Sequence, residues 1–212
     1  MKKINVSRPK DYYTQLNNEK FPLASCNTTS MVEALIVSGI KFPYPDGMQP
    51  EDYFTEIMEQ PEMYKRRDRY GEWAKQYRPA EIHMLLSWAT NQKLVGKKVT
   101  RFSIEYPIQL LLFDLAIRKR PCVVSGSFTS SGHIVVMVGF NTLQEDVDLV
   151  DEPRKIRLSA VKQIIVDDPY GNWYTDYKDH HGNDVPFEFP DFNRLTNSSG
   201  DTERKWAHRI II

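Results

Sequence analysis

The sequence contains little cysteine. Only Cys26 and Cys122 occur among its 212 residues. Small secreted domains that depend on disulfides use more cysteines than this, and a chain of this length can bury a hydrophobic core without them. We therefore expect both thiols to be reduced and residues 1–212 to form a single domain.

The sequence also has no excess of either charge. Its 28 basic and 28 acidic residues give a formal net charge of zero. A protein that binds nucleic acid or anionic lipid over a broad surface carries a clear excess of Lys and Arg. The composition therefore argues against nucleic acid as a partner.

Long apolar runs are missing as well. No segment reaches the roughly 18 apolar residues of a membrane span, and residues 4–9 supply no apolar core for a signal peptide. We expect synthesis in the cytoplasm without a membrane span, so a substrate in the cell wall or a place in a virion would require release. Cys, His and acidic residues nowhere follow zinc-ligand spacing, so we predict no metal and no cofactor.

The patterns that are present change along the chain. Residues 12–16 predict a short extended entry segment or a loop. Helical spacing and helix-opening prolines then dominate up to Arg120. β-branched and apolar runs bounded by turn residues then predict strands at 122–126, 134–140, 164–166 and 206–212. Helices followed by strands, without βαβ alternation, predict an α+β fold in which an N-terminal helical part packs on a C-terminal antiparallel sheet.

Cys26 directly precedes one of these helical patterns, which ends at Gly39. A helix N-terminus offers unpaired N–H groups and a partial positive charge, which favour the thiolate, the nucleophilic form of cysteine. Two alternatives stay open. Ser30 and Glu33 fit a capping box that would start the helix later, and a lone cysteine is often a small core residue.

His133 begins the apolar run 134–138 and follows Gly132. A histidine at the start of a strand can project from the sheet edge and act as a general base, or it can simply bind water there. The other histidines are weaker candidates. His180 and His181 lie in a polar stretch that predicts a surface loop, and a lone helical histidine such as His83 is more often surface or partly satisfied than catalytic.

An acid and an amide complete the candidate set. Asp168 ends a strand and precedes Pro169, but Asp167 is its direct rival, because neighbouring strand residues point to opposite faces. The turn sequence Asp-Pro-Tyr-Gly gives Asp168 an alternative, structural role. Gln15 lies shortly before Cys26, so its amide could donate to an oxyanion together with the Cys26 backbone N–H, although a lone Gln is usually a surface residue.

Together these residues resemble the peptidases related to bacteriocin-leader (double-glycine) processing enzymes, which belong to the papain-like superfamily. The resemblance rests on Gln15, Cys26, the stretch 126–140 and residues 168–171, and it spans about Tyr12 to Tyr177. It implies a papain-like fold with Gln15 as oxyanion donor, Cys26 as nucleophile, His133 as base and Asp168 as the acid that orients it. The family usually has Gly-Pro after the cysteine, where this chain has Asn27-Thr28.

The stretch 168–177 resembles uncharacterised bacterial and bacteriophage members of that group. This resemblance implies a phage-type cell-wall hydrolase, or endolysin, that cuts peptidoglycan peptides. Our leading hypothesis is a cysteine peptidase or amidase that hydrolyses a peptide or isopeptide bond through Cys26, His133 and Asp168. The alternative is a catalytically inert papain-like protein with a binding or structural role, as a virion component or an inhibitor. Acyl transfer would use the same residues as hydrolysis.

Overall fold

A computed structural model describes residues 1–63, 79–197 and 204–212, and these residues form an α+β fold. The antiparallel sheet contains β1 (Lys2–Asn5), β2 (Thr100–Pro107), β3 (Cys122–Gly126), β4 (His133–Thr142), β5 (Val161–Asp167), β6 (Val185–Glu188) and β7 (Arg204–Ile210). The described helices include α1 (Cys26–Val37), α2 (Pro50–Met58), α3 (Pro79–Ala89), α4 (Ile108–Phe113) and α5 (Phe189–Leu195). The predicted α+β class with an antiparallel sheet is confirmed.

The central strand of the sheet is β4, and it brings the first candidate residue into position. The strand order is β2-β7-β3-β4-β5-β6, and β1 pairs with β4 next to β3. His133 pairs with Gly126 at the end of β3, whereas β1 pairs with the other half of β4, where Asn5 faces Gly139. His133 therefore lies at the end of the β3–β4 hairpin, where the sheet gives way to a loop.

Helices cover both faces of the sheet, because β3 and β4 are apolar on both sides. Helices α1, α2 and α3 pack on one face; their buried residues include Met31, Leu35, Phe54 and Leu86, against Val123, Val136 and Val138. Helices α4 and α5 pack on the other face; their buried residues include Leu111, Leu112 and Phe192, against Val124, Val135 and Met137. The predicted helical layer is thus joined by a second layer across the sheet.

The first turn of α1 is tied directly to β4. Helix α1 starts at Cys26, so the later start suggested by the Ser30–Glu33 capping box is wrong. Ser30 instead donates a hydrogen bond of 3.0 Å to the backbone carbonyl of Ile134. This bond fixes the start of the helix beside the start of the strand that carries His133.

The N-terminal segment forms its strand elsewhere than the extended alternative for residues 12–16 suggested. Residues 12–16 do not form an extended strand; Gln15–Asn17 form a short 3₁₀ helix, and the strand in this region is β1. The Thr14 side chain accepts a hydrogen bond from the Leu16 N–H, a local bond that competes with extended structure. In the described parts of the chain, no helix is long and apolar enough to cross a membrane.

Candidate active site

The thiol of Cys26 stands at the N-terminus of α1. Cys26 is the first helical residue and is half-buried, with Ser25 as the N-cap. The loop before the helix is held by Asn18, whose Nδ2 donates to Ser25 Oγ at 2.8 Å and to Thr29 Oγ1 at 3.1 Å. The helix start therefore has a polar support, and Cys26 lies in the first turn, where helical N–H groups lack intrahelical partners.

His133 and Asp168 form a buried pair. The Nε2 atom of His133 lies 2.8 Å from Oδ1 of Asp168, and both side chains are excluded from solvent. The backbone of Asp168 is clamped as well, since its N–H donates to Gly182 O at 2.9 Å and its carbonyl accepts the Tyr12 hydroxyl at 2.9 Å. Of the two adjacent acids, Asp168 is thus the one that orients His133.

The ring of His133 also interacts with the side chain of Cys26. Burial alone would lower the pKa of His133. The hydrogen bonds to Asp168 and Cys26 and the charges of these two groups outweigh burial and raise the pKa to about 10. At neutral pH the imidazole is therefore charged and lies between the carboxylate and the sulfur.

Aromatic side chains enclose this pair. The rings of Tyr170 and Tyr177 each lie 6.1 Å from the ring of His133, and the ring of Phe128 lies 6.4 Å away. Burial and the neighbouring Asp168 raise the pKa of Tyr177, so its hydroxyl stays protonated, 3.4 Å from Asp168 Oδ2. Tyr177 holds this position with a φ of 59°, a strained value for a residue with a bulky side chain. The aromatic wall keeps water away from the His133–Asp168 bond.

Asp167 points away from His133 and into a separate network. It accepts hydrogen bonds from Ser7 Oγ at 2.8 Å and from the Asp184 N–H at 2.6 Å. Its third neighbour is Glu33 of α1, which also accepts the Tyr13 N–H at 3.1 Å. Burial and the charge of Asp167 raise the pKa of Glu33 well above its usual value, which favours the protonated acid beside the Asp167 carboxylate. Asp167 thereby ties α1 and the N-terminal segment to β5.

Gln15 is buried between the loop before Cys26 and the turn after Asp168. Its Nε2 donates to Pro22 O at 2.9 Å, and its backbone N–H donates to Pro169 O at 2.9 Å. Its Oε1 atom has no partner in the described part of the chain. One amide N–H is therefore engaged with the loop, and the predicted contact with an oxyanion remains a prediction.

A cavity of about 580 Å³ opens in front of the thiol. The residues that line it come from α1 and the loop before it, from α3, and from the β3–β4 hairpin: Ala24, Cys26, Asn27, Ile82, His83, Ser125, Ser131, Gly132, His133 and Ile134. The cavity therefore gives a substrate access to both Cys26 and His133. Asn27 lies beside the thiol, and its Oδ1 accepts the Thr28 N–H at 2.8 Å.

The sequence did not predict that His83 lines the cavity. It is only 3% exposed and lies in the cavity wall, where its Nδ1 is 2.9 Å from Nε2 of His208. His208 is on β7, and no local pattern links two histidines so far apart in sequence. Only a prediction that placed α3 over β7 would have found the pair.

Over residues 1–63, 79–197 and 204–212, no cluster of three or more His, Cys, Asp or Glu side chains could hold a metal ion. Comparisons with protein families, with curated proteins and with solved structures found no match to this chain. The geometry of the site is therefore the main basis for a functional assignment.

Proposed function

We propose that this protein is a papain-like cysteine hydrolase that cleaves a peptide or isopeptide bond. The observation that carries the proposal is the arrangement of Asp168, His133 and Cys26. Asp168 hydrogen-bonds the imidazole, and the imidazole interacts with the thiol of Cys26, which lies at a helix N-terminus in a cavity. A nucleophile, a base and a group that orients the base are the three parts that thiol catalysis requires. A cysteine on a helix that packs against the antiparallel sheet bearing the histidine also supports a papain-like arrangement.

In the proposed reaction the Cys26 thiolate attacks the carbonyl carbon of the scissile bond. The C–N bond breaks as His133 gives its proton to the leaving amine, and a thioester remains on Cys26. Water then attacks the thioester and passes a proton to His133, which is now neutral. The C–S bond breaks, the carboxylic acid leaves, and the thiolate–imidazolium pair is restored.

The negative charge that develops on the substrate oxygen needs donors. The backbone N–H of Cys26 in the first turn of α1 is one, and the helix dipole adds to it. Gln15 is the proposed second donor, since its Nε2 carries two N–H groups and Pro22 O is the one acceptor that the described residues provide. Both donors would act on the transition state more strongly than on the substrate.

As substrate we propose the peptide part of bacterial cell walls. The support is the resemblance of residues 168–177 to bacteriophage members of the double-glycine peptidase-like group. Three residues of this stretch contact His133: Asp168 hydrogen-bonds its ring, and the rings of Tyr170 and Tyr177 lie beside it. Release to the wall or incorporation into a virion would then be needed for access.

The test is built on the two cysteines. Cys26 is half-buried at the cavity, whereas Cys122 is fully buried and burial raises the pKa of its thiol. An iodoacetamide probe should therefore label Cys26 alone. Cys26→Ala should lose both labelling and the release of new amino termini from purified walls, while Cys122→Ala should keep both. Equal labelling of the Cys26→Ala variant would overturn the assignment.

One observation favours the alternative of an inert binding protein. The Asn27 side chain occupies the Thr28 N–H at the helix start, and Asn27 stands where the related peptidases have glycine. An inert protein would leave walls of several chemotypes uncleaved and show no preferential labelling of Cys26. That combined outcome would replace the hydrolase proposal with a binding role for the cavity.

A further inference from the structure

A pair of histidines, separate from the His133–Asp168 pair, has one member in the wall of the cavity. His83 on α3 lines the cavity, and its Nδ1 lies 2.9 Å from Nε2 of His208 on β7. The His83 ring stacks on Phe102 with centroids 4.8 Å apart and meets the edge of Trp206 at 6.0 Å. The ring is thus held firmly from three sides.

The surroundings of His208 determine which nitrogen of His83 carries the proton. The Nδ1 atom of His208 is buried, and the described residues offer it no partner. A buried N–H without an acceptor is rarer in proteins than a buried acceptor without a donor, so the proton of His208 belongs on Nε2. That N–H donates to Nδ1 of His83, which leaves the His83 proton on Nε2.

Both rings are neutral at physiological pH. Burial lowers the pKa of His83 to about 4 and lowers the pKa of His208 well below its usual value. Ile82, Ile134 and Ala24 line the cavity with His83, and its described lining includes no Lys or Arg. The charged ring of His133 also lines the cavity, but it is already paired with Asp168. This is a setting for a neutral acceptor, since an anion would lose its hydration and gain no unpaired counter-charge.

We propose that His83 is a substrate-binding residue of this site, and that its Nε2–H donates a hydrogen bond to an amide carbonyl oxygen of a peptide held in the cavity beside Cys26. The inference rests on the hydrolase proposed above. His83 makes no hydrogen bond to Cys26, His133 or Asp168 among the described contacts, so its effect is on substrate binding rather than on activation of the thiol.

The matched variants are His83→Asn and His83→Gln. The amide of Asn stands as many bonds from Cβ as Nδ1 does, so it can still pair with His208 but cannot reach the cavity. The amide of Gln stands as many bonds from Cβ as Nε2 does, so it can donate to the substrate. The two variants separate the support of the fold from the contact with the substrate.

Two reagents are compared by the rate at which they modify Cys26, followed by intact mass. One is an N-acetyl-dipeptidyl vinyl sulfone, which presents amide carbonyls; the other is methyl methanethiosulfonate, which has none. His83→Asn should slow the peptidyl reagent roughly three- to tenfold, the effect of one neutral hydrogen bond, and leave the small reagent unchanged. His83→Gln should restore most of the peptidyl rate.

Three outcomes would overturn the inference: unchanged peptidyl rates in both variants, equal slowing of both reagents, or ¹⁵N spectra of histidine-labelled wild-type protein that place the His83 proton on Nδ1. The spectra need no variant, so the inference can be refuted even if a substitution unfolds the chain. Failure of the small reagent to modify Cys26 in the wild type would instead refute the proposed hydrolase, and this inference with it.

Discussion

Nε2 of His133 lies 2.8 Å from Oδ1 of Asp168, and the same carboxylate oxygen accepts the Tyr170 N–H at 2.9 Å. Two donors on one oxygen restrict the rotation of the Asp168 carboxylate and so hold the imidazole in position. The strand that ends at Asp167 and the Pro169 that follows Asp168 restrict the backbone on both sides. The position of the base is therefore set by a short, rigid segment.

Asp168→Asn should lower kcat/KM for peptide hydrolysis by about 10²- to 10⁴-fold, because the amide cannot stabilise the imidazolium and favours the wrong tautomer. The measurement is the rate of release of new amino termini from a cleaved wall peptide. The fold should survive, since Asn keeps the size of the side chain and an oxygen for the Tyr170 N–H.

Asp167→Asn is the matched control, one residue earlier at the end of β5. Asp167 bonds Ser7 and Asp184 instead of His133, so this variant should lose stability while keeping most of its activity below its melting temperature. Thermal unfolding followed by circular dichroism gives the first quantity and the peptide assay the second. An equal loss of activity in both variants would contradict the assignment of Asp168.

The ring of His133 should titrate with a pKa of about 10 in the folded protein, against the ordinary histidine pKa of 6.5. Because the folded pKa is the higher one, the stabilising contribution of the charged ring is complete below about pH 6.5 and is lost as the pH rises through about 10. Hydrolysis should fall over the same alkaline range, since a neutral ring cannot protonate the leaving amine. NMR of the labelled histidine ring measures the titration directly.

The Asp168→Asn variant provides the control for this titration. With the hydrogen bond to a charged carboxylate gone, the His133 resonance should titrate at a clearly lower pH than in the wild type. A wild-type ring that titrates near 6.5, unchanged in the variant, would show that the His133–Asp168 bond is not formed in solution.

Gln15→Ala should reduce kcat by roughly 10²-fold or more, the usual effect of removing one oxyanion donor. The rate at which iodoacetamide alkylates Cys26 should stay near the wild-type value, because a donor to the oxyanion does not act on the free thiol. If both rates fall together, Gln15 serves through its bond to Pro22 by holding the loop before Cys26.

The sequence predicted well those elements whose hydrophobic pattern is regular. The helix that starts at Cys26 and the strands β3, β4, β5 and β7 were found, and with them Cys26, His133 and the two candidate acids. Strands β1, β2 and β6 were missed, and each of them pairs with one neighbouring strand only in the described part of the chain. Pro186 lies within the four residues of β6, and β2 ends in Pro107 after a shift of register. Proline and irregular pairing are tolerated at an edge, where they weaken the alternating pattern.

The parts of the site that depend on long-range contacts had no local signal. The choice between Asp167 and Asp168 follows from Gly182, whose carbonyl accepts the Asp168 N–H at 2.9 Å and whose close approach leaves no room for a Cβ. Sequence placed Gly182 in a polar loop with His180 and His181. The pairing of His83 with His208 likewise depends on how α3 packs over β7.

Glu33→Gln should change the pH dependence of stability. The folded pKa of Glu33 lies well above 4.5, the ordinary pKa of a glutamic acid. The stabilising contribution of the neutral acid is therefore complete below about pH 4.5 and is lost as the pH rises through the folded pKa. Gln cannot ionise, yet it can still donate to Asp167 and accept the Tyr13 N–H. The variant should therefore gain stability relative to the wild type as the pH rises, by at most about 1.4 kcal/mol per pH unit.

Urea unfolding at pH 5, 7 and 9 measures this gain, and Glu51→Gln is the matched control. Glu51 is also a buried acid, but burial raises its pKa only to about 7. Its relative gain should level off above about pH 7, and the gain of Glu33→Gln should level off once the folded pKa of Glu33 is passed. Parallel stability curves for wild type and Glu33→Gln would mean that Glu33 does not share a proton with Asp167.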